Sequence, residues 1–329
     1  MQKPAYRIPS MTEIQNTPLN NYKVVSLFSG VGGSSLGYRM AGFQVVYVNE
    51  FIEHAQQMYA LNNPGVFIDP RDVREVTAED ILSRTGLEVG ELDVLDGSPP
   101  CAQFSTANPN PRLGQIVNYS DKAQRTDDLF LEYIRLLDQL KPKVFIAENV
   151  VGLRKGASKL IYEEFLDRMR QCGYTVSCEE LNAKNLGVPQ SRSRLIFIGV
   201  RNDLNIKPAY PENLSYSYTV GEVLPYLERA FENTGGIWKP VEFIDSVCPV
   251  IRVAGRTHLF AVDKARQDTV RRMNFDEIKL LSSFPNDFII TGSKKRIHER
   301  ISRAVPPLMM YRIAKAVQEN ILDKLKESK

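Results

Sequence analysis

Cysteine and histidine are scarce in this sequence. The cysteines are Cys101, Cys172, Cys178 and Cys248, the histidines His54, His258 and His298, and no two form a Cys-x-x-Cys pair. A disulfide framework is excluded by that count and scatter. Neither a zinc site nor a histidine-based triad is expected, so any chemistry must use other groups and no metal. No run reaches the ~18–20 apolar residues of a membrane span, so no membrane partner is expected. Residues 1–21 have no apolar leader core, so an intracellular, cytoplasmic chain is expected. What is present is ordinary for a soluble globular protein: 43% hydrophobic and 25% charged residues. The 329 residues have room for one large domain and a small one.

Net charge is only +3, but it is unevenly spread. Residues 41–100 hold eleven acids and three bases, whereas residues 250–303 hold twelve bases and six acids. The C-terminal excess suits a face turned toward a polyanion, although a solvated charged face would read alike.

Strand and helix patterns alternate through the first half. Strands are expected at 24–28, 43–49, 66–68, 92–96 and 144–147, with helices at 34–41, 53–61, 77–84, 127–140 and 158–172 between or after them. Two more strands follow near 174–181 and 194–200. Alternation of this kind implies a doubly wound, mostly parallel α/β sheet, with the ligand at the carboxyl ends of the strands. After Val200 the pattern loosens. Pro208, Pro211 and three tyrosines mark a connector, and Gly235-Gly236, Trp238, Pro240 and Pro249 point to a small irregular or β-rich region at 225–256. Helices return near 276–283 and 305–325. The expected division is 1–21 as an extension, 22–200 and 271–329 as the catalytic domain, and 201–270 as a small recognition domain with its connectors.

The strand ends carry the chemistry. Phe28-Ser29-Gly30-Val31-Gly32-Gly33 is a glycine turn that lets backbone approach a ligand, and Glu50 ends the next strand, where a carboxylate can accept ribose hydroxyls. The dinucleotide pattern fails, because its third glycine would be Ser35; adenosine without pyrophosphate fits better. Cys101 follows Pro99-Pro100 past another strand end, held extended toward the crevice. Its thiol needs activation to ionise near neutral pH. Glu148 ends the fifth strand, a costly place for a carboxylate unless it is paired or protonated. Arg192 and Arg194 share one side of an extended segment and could clamp an anion.

In order and spacing these pieces resemble the cytosine-5 DNA methyltransferase family, from Val24 to the last helix. Phe28–Gly33, Glu50 with Phe51, and Asp72 are similar to its cofactor motifs; Pro99-Pro100-Cys101 with Phe104-Ser105 resembles its catalytic motif. Glu148-Asn149-Val150 and Gln190-x-Arg192-x-Arg194 resemble the rest of the catalytic set. Residues 272–288 look like the helix that supports the recognition domain, and Ala304-Val305-Pro306-Pro307 like the final motif that returns to the cofactor pocket. The resemblance implies S-adenosylmethionine as cofactor, double-stranded DNA as partner and a Rossmann-like fold. It implies that Cys101 attacks carbon 6 of a flipped-out cytosine. Glu148 then binds the base edge and holds or shares a proton, Arg194 orients the base, and Arg192 steadies the loop. Residues 105–125 would close over the base. Contacts to DNA are expected from Ser105, Arg112 and Gln190, and to phosphates from Arg252, Arg256, Lys264, Arg266, Arg271 and Arg272. A monomer, and a cognate restriction enzyme as partner, complete the expectation.

Three departures stand out. Ala102 lies where the family often has Gln. Ser302-Arg303 replaces its Gly-Asn, so an always-charged Arg303 lies near the cofactor motif; it could touch phosphate, impair methylation, or select a carboxylated S-adenosylmethionine. The variable region is short, which predicts a short or degenerate target. The alternatives are a tRNA methyltransferase of the same fold, a cytosine carboxymethyltransferase, and a non-catalytic DNA-binding protein.

Overall fold

The computed structural model describes residues 3–100, 117–119, 122–124, 126, 128–233, 241–251, 258–266 and 269–327. Its centre is a seven-stranded sheet. The first five strands in the chain's run through it are β1 (Lys23–Leu27), β2 (Gln44–Asn49), β3 (Phe67–Asp69), β4 (Val94–Gly97) and, after a short hairpin of β5 (Val117–Tyr119) and β6 (Lys122–Gln124), β7 (Val144–Val150). Two more, β8 (Tyr174–Asn182) and β9 (Ser193–Arg201), complete it in the order β3-β2-β1-β4-β7-β9-β8. β1, β4 and β7 are buried along nearly their whole length, as strands covered on both faces must be.

Pairing is parallel from β3 to β7 and antiparallel at β7–β9 and β9–β8. Alternation alone does not foresee that reversal. Parallel pairing needs a crossover of a dozen or more residues. Only a 3-10 turn at Ala183–Leu186 and a short extended stretch separate β8 from β9, so the two close as neighbours running opposite ways.

Helices cover both faces. α1 (Met11–Gln15) lies outside the sheet layers. α2 (Gly33–Met40) follows β1, α3 (Glu53–Asn62) follows β2, α4 (Ala78–Thr85) precedes β4, and α5 (Leu129–Leu140) and α6 (Lys159–Gln171) flank β7. α4 opens with the capping box read from Thr77 and Asp80. α5 ends at Lys141, whose φ of 50° turns the chain into Pro142. Leu136, Leu137, Phe130, Phe145 and Phe197 build the core on one face; Tyr38, Val144, Ile146, Ile198 and Met310 build it on the other.

A second, antiparallel sheet holds β10 (Leu227–Asn233), β11 (Val241–Glu242), β12 (His258–Asp263) and β13 (Val270–Arg272) in the order β11-β10-β12-β13. α7 (Val220–Val223) leads into it and α8 (Phe275–Leu281) leads out. Ala230, Phe231, Ala261, Ile278 and Phe284 share one core with Met11 and Ile14 of α1. The N-terminal segment is therefore docked. Tyr6 Oη donates to the Leu280 carbonyl and the Met11 N–H to the Asp287 carboxylate.

Two helices differ from the sequence reading. α9 (Lys294–Arg303) was not foreseen; its charged sequence masks a short buried stripe that includes Ile301. The final helix is broken, with α10 (Pro307–Val317), a π turn at Gln318–Leu322, and α11 (Asp323–Glu327).

Candidate active site

The carboxyl ends of β1, β2 and β4 open into a cleft whose far wall is the end of α9 and the segment to Val305. Close packing forces the glycines of its first turn. A Cβ on Gly33 would lie 2.2 Å from the Val305 carbonyl oxygen, and one on Gly32 would lie 2.9 Å from the Tyr59 ring, at a φ of 91°. The start of α2 therefore rests directly on the returning C-terminal segment. Phe28 turns the chain out of β1 at φ 57° and lines the cleft with Gly30 and Gly33.

Glu50 is buried, and its carboxylate is fixed by two backbone donors: the Gly30 N–H to Oε2 and the Ile52 N–H to Oε1, both at 2.7 Å. Phe51, Asp72, Arg303 and Val305 also line the cleft. Asp72 is held by the Arg74 guanidinium at 2.8 Å. Arg303 pairs with Glu299 at 3.0 Å.

Asp96, which the sequence reading passed over, is also on the wall. Ser26 Oγ donates to it at 2.7 Å and Tyr38 Oη at 3.3 Å. Burial pushes its carboxyl up to about 7; the two hydroxyls oppose that shift and the nearby Glu148 adds to it. A lone acid in the apolar run Val94-Leu95-Asp96 was the available signal.

The reacting end lies at β4 and β7. Pro99 is buried and its carbonyl accepts from Asn149 Nδ2 at 3.4 Å. Glu148 Oε1 and Arg194 Nε pair at 2.6 Å, with both side chains at least four-fifths buried. Arg192 is fully enclosed. Its Nη1 donates to the Ser302 carbonyl at 2.7 Å and its Nη2 to that of Arg303 at 3.4 Å. Burial, and then the charge of Arg194, push the Arg192 pKa down, while Glu148 opposes. Arg192 thus ties the catalytic segment to the cofactor-side loop.

Two residues expected to contact DNA have partners within the fold. Gln190 is 1% exposed, and its amide donates to Ser282 Oγ at 3.1 Å. Its neighbours bridge to Cys248, the Ser191 N–H donating to the Cys248 carbonyl at 2.8 Å and the Cys248 N–H to the Pro189 carbonyl at 3.1 Å. Gln190 therefore joins the catalytic segment to the second sheet and is not at a surface. Arg271 is spent within the fold, on Asp263 at 2.6 Å and Glu277 at 2.7 Å. Lys264, Arg266 and Arg272 are exposed. Cys101, Ser105, Arg112, Arg252 and Arg256 lie outside the described residues. Among the described residues no helix is long and apolar enough to cross a membrane.

A family model for the C-5 cytosine-specific DNA methylase matches residues 22–238 and 245–319. The Type II methyltransferase M.NgoPII of Neisseria gonorrhoeae is 27% identical over 93% of this chain and 98% of that protein. M1.HphI of Haemophilus parahaemolyticus, also a Type II methyltransferase, is 29% identical over 89% of this chain and 86% of its own length. Among solved structures, a candidate DNA modification methyltransferase encoded within an E. coli prophage superposes with a TM-score of 0.71 at 21% identity, covering 92% of this chain and all of that one. Spodoptera frugiperda DNMT2 superposes at 0.68 with 18% identity, covering 91% of this chain and 100% of that one.

Proposed function

The chain belongs to the C-5 cytosine-specific DNA methylase family, and from that premise we propose that it methylates carbon 5 of a flipped-out cytosine through a covalent bond from Cys101 to carbon 6. Membership makes it a DNA cytosine-5 methyltransferase and implies use of S-adenosylmethionine. The cleft fits that cofactor. Glu50, Asp72 and Asp96 line it with carboxylates, and Arg300 and Arg303 with guanidiniums, which suits an adenosine compound that carries charges of both signs. Glu50 would hold the ribose, Phe51 and Asp72 the adenine side, and Phe28–Gly33 with Val305 the remainder. The bound cofactor supplies an electrophilic methyl group on a sulfonium.

The single observation that carries the mechanism is the Glu148–Arg194 pair beside the segment leading to Cys101. Carbon 5 of cytosine is a poor nucleophile until a thiolate adds at carbon 6. As the Cys101 sulfur bonds to carbon 6, electron density moves onto the ring, and Glu148 offers the proton that N3 takes up. Arg194 orients the base and offsets charge. Arg192 keeps this edge in register with the loop at Ser302-Arg303. Once carbon 5 has taken up the methyl group, a base removes its proton, the double bond re-forms, Cys101 leaves with its electron pair, and N3 gives its proton back to Glu148. The relatives' designation as Type II methyltransferases supports a partnership with a restriction enzyme.

One observation favours a second reading of the cofactor. Arg303 lines the cleft, where a fixed cation would favour a carboxylated S-adenosylmethionine. A cytosine adduct heavier than methyl in cells that make such a cofactor would support it; 5-methylcytosine alone would end it.

Incubation with duplex DNA containing 5-fluorocytosine and S-adenosylmethionine tests the covalent step. Wild type should form an adduct stable to denaturation, and Cys101→Ala should not. Adduct formation by both, or by neither, contradicts the mechanism. Labelled tRNA run in parallel separates an RNA substrate from DNA.

A further inference from the structure

The charged groups of the cleft are almost all matched, and Asp96 is the exception. Glu50 is held by two backbone amides and Asp72 by Arg74. Arg303 pairs with Glu299, and Arg300 donates from Nε to His54 Nε2 at 2.9 Å. Asp96 has only the hydroxyls of Ser26 on β1 and Tyr38 on α2. Among the described residues no lysine, arginine or histidine pairs with it. The other titratable groups around it are Tyr59 on α3, Tyr133 on α5 and Glu148 on β7. The tyrosines stay neutral, because burial drives their hydroxyls further from ionisation. None of these supplies a positive charge. A dry carboxylate with neutral donors only is poorly stabilised as an anion, and a cation brought beside it removes that cost.

We propose that Asp96 is a cofactor-binding residue that takes the α-ammonium of the amino-acid half of S-adenosylmethionine. This rests on the reading of the cleft given above. The ammonium has three N–H donors, and Asp96 keeps acceptor sites beyond those used by Ser26 and Tyr38. The sulfonium has no such donor and must face the cytosine. The course of the chain agrees. From Asp96 it runs outward through Ser98 and Pro99 to Pro100, so Asp96 lies inward of the segment that carries Cys101 and on the side of the Phe28–Gly33 turn. Across the cleft, Arg300 and Arg303 offer the opposite charge. The two walls together suit a zwitterion.

The assignment couples cofactor binding to a proton. Free Asp96 is partly protonated near neutral pH, and the ammonium binds its anion, so binding expels the proton. Calorimetric titration of the full chain between pH 5.5 and 7.5, in buffers of differing ionisation enthalpy, reads this directly. S-adenosylmethionine should release close to one proton near pH 6, and its affinity should weaken by about tenfold for each pH unit below 7. S-adenosylhomocysteine keeps the ammonium and lacks the sulfonium charge, so it should release the same. Methylthioadenosine lacks the amino-acid half and should release none. In Asp96→Asn the release should vanish, and the affinity at pH 7.5 should fall about 10- to 100-fold, the range expected for losing a neighbouring charge. The three ligands test the assignment on wild type even if that variant fails to fold. Proton release with methylthioadenosine, none with S-adenosylhomocysteine, or full release in Asp96→Asn would overturn it. A wild type that binds none of the three at any pH overturns the reading of the cleft itself.

Discussion

At the scale of single residues, two buried acids divide the site. Glu148 has Arg194 at 2.6 Å; Asp96 has hydroxyls alone. Glu148→Gln removes the group that offers a proton to N3 and leaves Arg194 without its partner. We expect adduct formation to slow by about 10²- to 10⁴-fold, the usual scale for a lost general acid. Cofactor affinity in the same calorimeter should stay within about threefold, since Glu148 does not line the cofactor cleft. Asp96 makes a different prediction, on stability. Its folded pKa is raised above that of an unfolded aspartate, so the folded state binds the extra proton between about pH 4 and 7. Stability from this group is present at low pH and lost as pH rises through about 7. Relative to wild type, cofactor-free Asp96→Asn should therefore melt higher at pH 8 than at pH 5. An equal offset at both pH values would show that Asp96 carries no shifted proton.

At the scale of elements, contact between distant segments decides what the cleft looks like. α2 rests on the segment after α9 at Gly33, where the Val305 carbonyl leaves no room for a methyl group. Gly33→Ala must push that segment outward. Cofactor affinity should fall about tenfold or more, and the melting temperature should fall as well, because the clash is with buried backbone; unchanged affinity would separate the Val305 segment from the cofactor. Arg271 ties β13 to β12 and α8 through Asp263 and the buried Glu277. Arg271→Ala should cost about 1–3 kcal/mol, less than a wholly buried pair because the arginine is partly solvated, as read by chemical denaturation. The sequence carried much of this by local signals. The capping box at Thr77, the stop at Lys141-Pro142 and the strand-end position of Glu50 were legible, because each rests on neighbouring residues; Glu148, read as ending its strand, lies inside β7, which runs on to Val150. What was not legible depends on remote partners. Gln190 reads as a polar residue beside two arginines; only the fold reveals Ser282 against its amide. α9 hides because its buried stripe is short, and Asp96 because an acid inside a strand says nothing of what faces it. The reversal at β9 needed the spacing to β8 to be weighed against the crossover that a parallel strand requires.

At the scale of the whole molecule, the described second sheet is small, with four strands and a core shared with α1 and α8. Few side chains can reach base edges from so little structure, so we expect a short or degenerate target. Bisulfite sequencing of a plasmid carried by expressing cells reads this, and a single long site would contradict it. Binding to duplex should weaken steeply with salt. Arg272→Ala should lower that slope by roughly one counterion and Arg271→Ala should not, since the first is exposed and the second already paired. The measurement that tests the account most directly is nucleoside mass spectrometry of DNA from cells expressing wild type or Cys101→Ala. The account predicts 5-methylcytosine with wild type and none with the variant. Modified cytosine in both, or unmodified DNA in both, would contradict catalysis through Cys101.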